Sequence, residues 1–365
     1  MATKRRTFLQ IPQGTESFYL EEAFRHRRII AHLDSLFESW GYLPVYTPVF
    51  DFFDTYRTLM GDEAVETAYR LIDREGDLLL LRSDITLFLA KQMGLALKKS
   101  DLPVRVYYSD VILRHQNRED ISRNEFFQSG VELIGKPGEE ADLEVLALLA
   151  RTIELLGLRA QIHLGSQALF GSCFSDLPEG TRRKLASAIA VRDAGSCRSF
   201  VEMWEPARAE YTVRLMMYIG GRDGLRTLAQ ESRRVGGFPE RARTELTYLL
   251  RLAEVLTEIG MGDGFRLDLS EIGAQTYYTG IAFRAFVEGQ DSAVASGGRY
   301  DELLANFGFA APSVGFSLLL RKVEPMVDRP ERFAQPEIVT VEGTTFTERL
   351  KAADALRKAG RIGRI

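Results

Sequence analysis

Apolar residues recur along this chain with more than one period. From Phe18 to Trp40 they keep helical spacing, with Phe24, Ile29, Leu33, Leu36 and Phe37 near one face, and Gly41 stops the run. Two later runs alternate instead. Val104–Leu113 is rich in Val, Tyr and Ile, and Glu125–Ile134 places Phe126, Gln128, Gly130 and Glu132 on one side, because strand side chains alternate with period two. A charged, turn-prone loop joins them, so a hairpin is predicted whose concave face carries Arg114, Gln128 and Glu132.

The remaining elements follow from the same patterns. Gly41–Phe50 (GYLPVYTPVF) reads as a strand in which Pro44 and Pro48 suit an edge or an interface. Leu78–Leu81 is a short apolar strand running into Arg82-Ser83-Asp84-Ile85-Thr86. Two readings stand there. On a strand, Asp84 and Thr86 point the same way and together suit an ammonium group. Alternatively, Ser83 or Asp84 caps a helix beginning at ITLFLAKQM. Glu139–Leu156 is a predicted helix ended by Gly157, and Gln167–Gly260 is mostly helical with Gly and Pro breaks. Strands are predicted at Phe265–Leu269 and Tyr277–Phe283, a glycine turn leading into a helix at Ser296–Asp301, and an apolar element at Val314–Leu320. A strand at Glu337–Val341 and a helix at Thr347–Ala359 close the chain. The expected division is a core in two parts, 1–166 and 263–330, a helical insertion at 167–262, and a short α/β segment at 331–365.

Composition narrows the class. The chain has 365 residues, 45% hydrophobic and 27% charged, which fits a folded protein with a sizeable core. A net charge of −4 and the lack of any basic block give no nucleic-acid footprint. Cys173 and Cys197 have no paired spacing, so neither a disulfide framework nor a metal site is expected, and a reducing cytoplasm is the natural setting. The basic N-terminus lacks the apolar stretch of a signal peptide, and no run approaches the ~18 apolar residues of a membrane span.

Five motifs in one order then carry a resemblance. Gly41, Tyr42, Val45 and Pro48 match the first signature of class II aminoacyl-tRNA synthetases, where a helix and a proline-bearing strand form the dimer interface. With the central hairpin, TYYTGIAF, GGRYDELL and PSVGFSLLL, the stretch from Gly14 to Lys322 resembles the histidyl-tRNA synthetase catalytic core. The resemblance implies an α+β fold, an antiparallel sheet flanked by helices, in a homodimer. It also implies a histidine pocket: Asp84, Thr86 and Gln128 at the ammonium, Arg114 at the carboxylate, and Glu132 with Tyr278, beside Tyr277, at the imidazole. Asp84 stands where the family has glutamate.

The departures from the family decide what is expected of the chain. Gln116 replaces the glutamate that follows the first motif-2 arginine, and Ser122, next to Arg123, replaces an arginine after the loop. Gly273 stands at the family's catalytic arginine, four residues before the double tyrosine, while Leu319 and Lys322 stand at the motif-3 glycine and arginine. Adenylation needs fixed cations and a planar guanidinium, which lysine and glycine do not supply. After Gln335 a single strand, a helix and a stub remain, where an anticodon-binding domain needs about a hundred residues. No tRNA partner, no cofactor and no catalytic residue are therefore expected. The combination resembles the regulatory subunits of ATP phosphoribosyltransferase, which partner the short-form catalytic chain in the first step of histidine biosynthesis, with free histidine as feedback signal. Rival readings are a working histidyl-tRNA synthetase and a histidine sensor for another partner.

Overall fold

The computed structural model describes residues 12, 14–115, 124–273, 275–327 and 330–364. The chain divides into two compact units, Met1–Glu16 with Leu33–Val327, and Ser17–His32 with Asp328–Ile365. In chain order the strands are β1 (Leu43–Pro44), β2 (Phe50–Phe52), β3 (Arg70–Ile72), β4 (Leu78–Leu81), β5 (Val104–Leu113), β6 (Glu125–Ile134), β7 (Ala160–Ser166), β8 (Ile219–Gly220), β9 (Phe265–Asp268), β10 (Ile281–Val287), β11 (Ala295–Arg299), β12 (Ser313–Leu319), β13 (Ile338–Thr340) and β14 (Ile362–Arg364).

The larger unit is built on a nine-stranded sheet of order β1-β5-β6-β12-β11-β10-β7-β9-β8. Its six central strands are antiparallel throughout, and the parallel pairs β1/β5 and β7/β9 lie towards the two sides. The predicted hairpin is the longest ladder, pairing Val104 with Ile134 through to Leu113 with Glu125. Helix Glu139–Leu155 buries Val145, Leu146, Leu148 and Leu149 from its apolar stripe and packs on β6 and β12. A second small sheet, β2-β4-β3, leads into helix Ile85–Ala96, whose Ile85, Leu87, Phe88 and Leu89 join a core with Tyr56, Tyr108, Ile112 and Tyr300. The predicted helical stretch is helical from Gln167 to Glu258 but belongs to the same compact unit as the sheet, to which it contributes β8.

Three elements differ from the sequence expectation. Only Leu43–Pro44 of the Gly41–Phe50 run pairs with β5. Proline has no N–H to donate to a ladder, and Arg82 takes the carbonyl of Thr47 at 2.8 Å and that of Pro48 at 3.4 Å. The strand expected from Tyr277 begins only at Ile281. The preceding residues fold across the end of β11, where Thr279 N–H donates to the Arg299 carbonyl at 2.8 Å and Thr279 Oγ1 accepts from Asp301 N–H at 2.9 Å. The glycine turn expected at Ser296–Asp301 is strand β11 as far as Arg299, and a 3-10 turn at Leu304–Phe307 follows in place of an α-helix. Its glycines mark close approach: the rings of Phe283 and Tyr278 lie directly on the backbone of Gly297 and Gly298.

In the smaller unit β13 and β14 pair in parallel around helix Phe346–Lys358, whose N-terminus is closed by a reciprocal Thr345–Glu348 capping box.

Candidate functional site

The sheet face that carries Glu132 holds a narrow polar cleft. Its walls include Asp84, Thr86, Glu132, Tyr277, Tyr278 and Tyr300. Thus five of the seven residues singled out in the sequence line one cavity, and the other two adjoin it. Arg114 Nη2 lies 3.6 Å from Asp84 Oδ2, and its Nε donates to the Ser83 carbonyl at 2.7 Å. Gln128, fully buried, accepts the Ile85 N–H at 3.1 Å. Residues 116–123 lie outside the described residues, so Gln116, Ser122 and Arg123 are not placed.

Asp84 is the N-cap of helix Ile85–Ala96, so the capping reading of that segment holds and the strand reading does not. Its Oδ1 accepts the Leu87 N–H at 3.3 Å, which satisfies one of the donors left open at a helix start. Thr86 sits in the first turn and donates to Glu132 Oε1 at 2.7 Å, so its hydroxyl is turned to Glu132 here.

Glu132 is the chemical centre of the cleft. It is 1% exposed, and its partners are all hydroxyls. Thr86 and Tyr108, the latter at 3.3 Å, share Oε1, and Tyr300 donates to Oε2. Across the ladder stands Gly315, where a Cβ would lie 1.7 Å from Oε2; the carboxylate fits because that strand position has no side chain. Burial pushes the Glu132 carboxyl up to about 8, against the pull of the Tyr300 and Thr86 hydroxyls, and Asp84 adds to the rise. Burial also raises the phenols of Tyr108, Tyr277, Tyr278 and Tyr300, which therefore remain neutral donors.

Tyr108 and Tyr300 were not singled out from the sequence. Tyr300 sits inside the GGRYD motif, so its signal was present. Tyr108 stands opposite Gly130 and so shares the face of Glu132; only the hairpin register reveals this, and a loop of that length does not fix the register.

Gly273 lies behind the same tyrosines. Its φ is +90°, and a Cβ there would lie 2.5 Å from Tyr278 Cδ2. Lys322 Nζ donates to Ser292 Oγ at 2.6 Å.

Other cavities are roomier but less suited to chemistry. A cleft of about 830 Å³ runs among Arg226, Arg243 and Arg251. Those arginines are already paired, with Asp223, Glu240 and Glu139 respectively. Among the described residues no three His, Cys, Asp or Glu side chains gather to hold a metal ion, and no helix is long and apolar enough to cross a membrane.

The sheet with its flanking helices and this cleft on its face define a class II aminoacyl-tRNA synthetase fold. The family model described as histidyl-tRNA synthetase matches residues 14–323. The ATP phosphoribosyltransferase regulatory subunit of Geobacter sulfurreducens is 32% identical over 361 residues, which cover 96% of this chain and 81% of that one. Its counterpart from Moorella thermoacetica is 34% identical over 322 residues, covering 86% and 81%. The crystal structure of an ATP phosphoribosyltransferase regulatory subunit/histidyl-tRNA synthetase from Bacillus halodurans shares the fold with a TM-score of 0.84, at 24% identity, over 98% of this chain and 93% of that one. The chain belongs to the histidyl-tRNA synthetase family and, within it, to the ATP phosphoribosyltransferase regulatory subunits.

Proposed function

We propose that this protein senses free histidine for a short-form ATP phosphoribosyltransferase, activating that catalytic chain in the first step of histidine biosynthesis and relaying feedback inhibition to it. The reading places the ligand's ammonium at Asp84 and Thr86, beside Gln128, its carboxylate at Arg114, and its imidazole between Glu132 and the Tyr277–Tyr278 turn. A zwitterion then meets an anion at its ammonium, a cation at its carboxylate and polar groups at its ring.

The observation that carries the regulatory half of the reading is Gly273. At the position of the family's catalytic arginine it offers no cation, and the space over its backbone is taken by Tyr278. With Lys322 tied to Ser292, the groups that adenylation requires are absent from two of its expected places. The amino-acid end of the cleft keeps its polar lining. Such a site binds an amino acid and leaves it unactivated.

The cleft is also nearly closed on itself. Its free volume of about 10 Å³ is room for one water at most. Histidine therefore enters by moving residues of the lining, and a ligand that favours one arrangement over another shifts the balance between them. Leu43, Tyr46, Phe50 and Ile72, each more than half exposed, are proposed to be covered by a second copy of the chain.

The test is steady-state turnover of the short catalytic chain, alone and with this protein, across a histidine titration. Activation by the added protein and inhibition by histidine only in its presence are expected. Histidine-dependent ATP–pyrophosphate exchange by this protein alone would instead make it a synthetase.

A further inference from the structure

Among the described residues, Glu132 is a buried acid with no cation of its own. Every described element packed against it supplies a neutral or negative group. Thr86 comes from the helix after β4, Tyr108 from β5, Tyr300 from the end of β11, Tyr277 and Tyr278 from the turn before β10, and Asp84 from the helix cap. The facing strand β12 offers Gly315 and Ser317, which carry no charge. Three arginines stand nearby, each committed to its own carboxylate: Arg114 to Asp84, Arg284 to Glu271, and Arg299 to Asp142 and Asp301. Among the described residues no cation pairs with Glu132. An ionised carboxylate in that position is disfavoured, and the group is held as an acid.

Resting on the histidine-sensing reading, we propose that the cleft selects its ligand by a proton: Glu132 meets the ligand as a carboxylic acid and passes its proton to the ligand's ring, so that only an amino acid with a basic ring is held. The carboxyl O–H bond breaks and a ring N–H bond forms. A neutral acid and a neutral ring become a carboxylate and a ring cation, with no proton left over and no co-reactant. The new cation is the counter-ion that the cleft lacks. The three hydroxyls aimed at Oε1 and Oε2 stabilise the new carboxylate. Burial without a counter-charge raises Glu132 to about 8 and so keeps it protonated at neutral pH, and a ring cation formed beside it is the counter-charge that offsets that rise and favours the carboxylate. A ring that hydrogen-bonds but is not a base would leave Glu132 protonated and the cleft without its ion pair.

The experiment compares L-histidine with 2-fluoro-L-histidine, whose fluorine removes ring basicity at almost constant shape, by calorimetry on the full chain at pH 7.5. The fluorinated ligand is expected to bind about 10- to 150-fold more weakly, the affinity equivalent of one charge-assisted hydrogen bond. In Glu132→Gln, which keeps the shape but has no proton to pass, the two ligands should bind with similar affinity. Equal affinities on the unaltered protein would overturn the proton mechanism and leave the sensing reading intact. If histidine itself fails to bind, the sensing reading falls and the mechanism with it. The comparison on unaltered protein requires no variant to fold.

Discussion

Two carboxylates lie at the bottom of this molecule's core, and they are solved in opposite ways. Asp142 is fully buried, but Arg299 donates to its Oδ1 from Nε at 2.8 Å and Nη2 at 2.6 Å, while Tyr248 donates to Oδ2 at 2.6 Å. Burial pushes its carboxyl up, and the guanidinium pulls against that rise. Glu132 is equally buried and receives only hydroxyls. The first acid is a closed ion pair tying β11 to helix Glu139–Leu155. The second has no counter-charge among the described residues. Depth of burial is the same in both, so depth does not tell them apart; the counter-charge does.

Removing the counter-charge from the first acid should convert it to the state of the second, at the largest cost. Arg299→Ala leaves Asp142 at full burial with the Tyr248 hydroxyl but without its counter-charge, and a loss of about 3–5 kcal/mol in unfolding free energy is expected, read from denaturant midpoints at constant slope. An Arg299→Ala protein as stable as the parent would mean that Asp142 is no closed pair.

The second acid predicts a pH dependence of the opposite origin. Its native value, about 8, lies above its ordinary value of 4.5, so the native state binds the extra proton. Stability from Glu132 is then fully present below pH 4.5 and is lost as pH rises towards 8. Relative to Glu132→Gln, the unaltered protein should lose up to about 1.4 kcal/mol per pH unit across that window and run parallel above it. Parallel curves throughout would show Glu132 ionised in the native state and erase the contrast with Asp142.

How far this contrast could be read in the sequence depends on which residues carry it. The hairpin, Glu132 and the double tyrosine were legible, because strand alternation and motif order place them without any need of register. The N-cap role of Asp84 was legible only as one of two readings, since an acid before an apolar run serves a strand end and a helix start equally well. The partners that give each acid its character were not legible. Arg299 reaches Asp142 across 157 positions, and Tyr300 reaches Glu132 across 168. Neighbouring residues of one GGRYD motif thus serve opposite acids, which period-two pointing allows but cannot assign. The glycines misled for a related reason: Gly297 and Gly298 mark close packing under aromatic rings, while sequence logic reads paired glycines as a turn.

If Glu132 completes itself with a ligand, truncating it should be felt in binding more than in folding. Glu132→Ala should weaken histidine affinity by about 1.5–3 kcal/mol, the range for a charged hydrogen bond lost from a closed site, as measured by calorimetry on a variant whose circular dichroism matches the parent. Unchanged affinity in a folded variant would move the ligand away from this cleft.

The smallest expected effect separates sensing from activation. Arg114 is a cation at the cleft's edge; its side chain is 33% exposed and stands 3.6 Å from Asp84, so solvent screens part of its pull. Losing its contact with a ligand carboxylate should therefore cost about 1–2 kcal/mol, below the full value for a buried charged bond. The Arg114 backbone N–H to the Asn124 carbonyl and its bridge to Ala68 survive truncation. An Arg114→Ala protein should hence activate the short catalytic chain as the parent does, while half-inhibition by histidine moves about 5- to 30-fold higher. Linkage demands that pairing: a ligand acts on the partner only through the site it occupies, so weakening the site shifts the inhibition curve without lowering the activated plateau. If histidine inhibits equally with either form, inhibition does not pass through this cleft, and Glu132 would be a buried acid with no ligand to complete it.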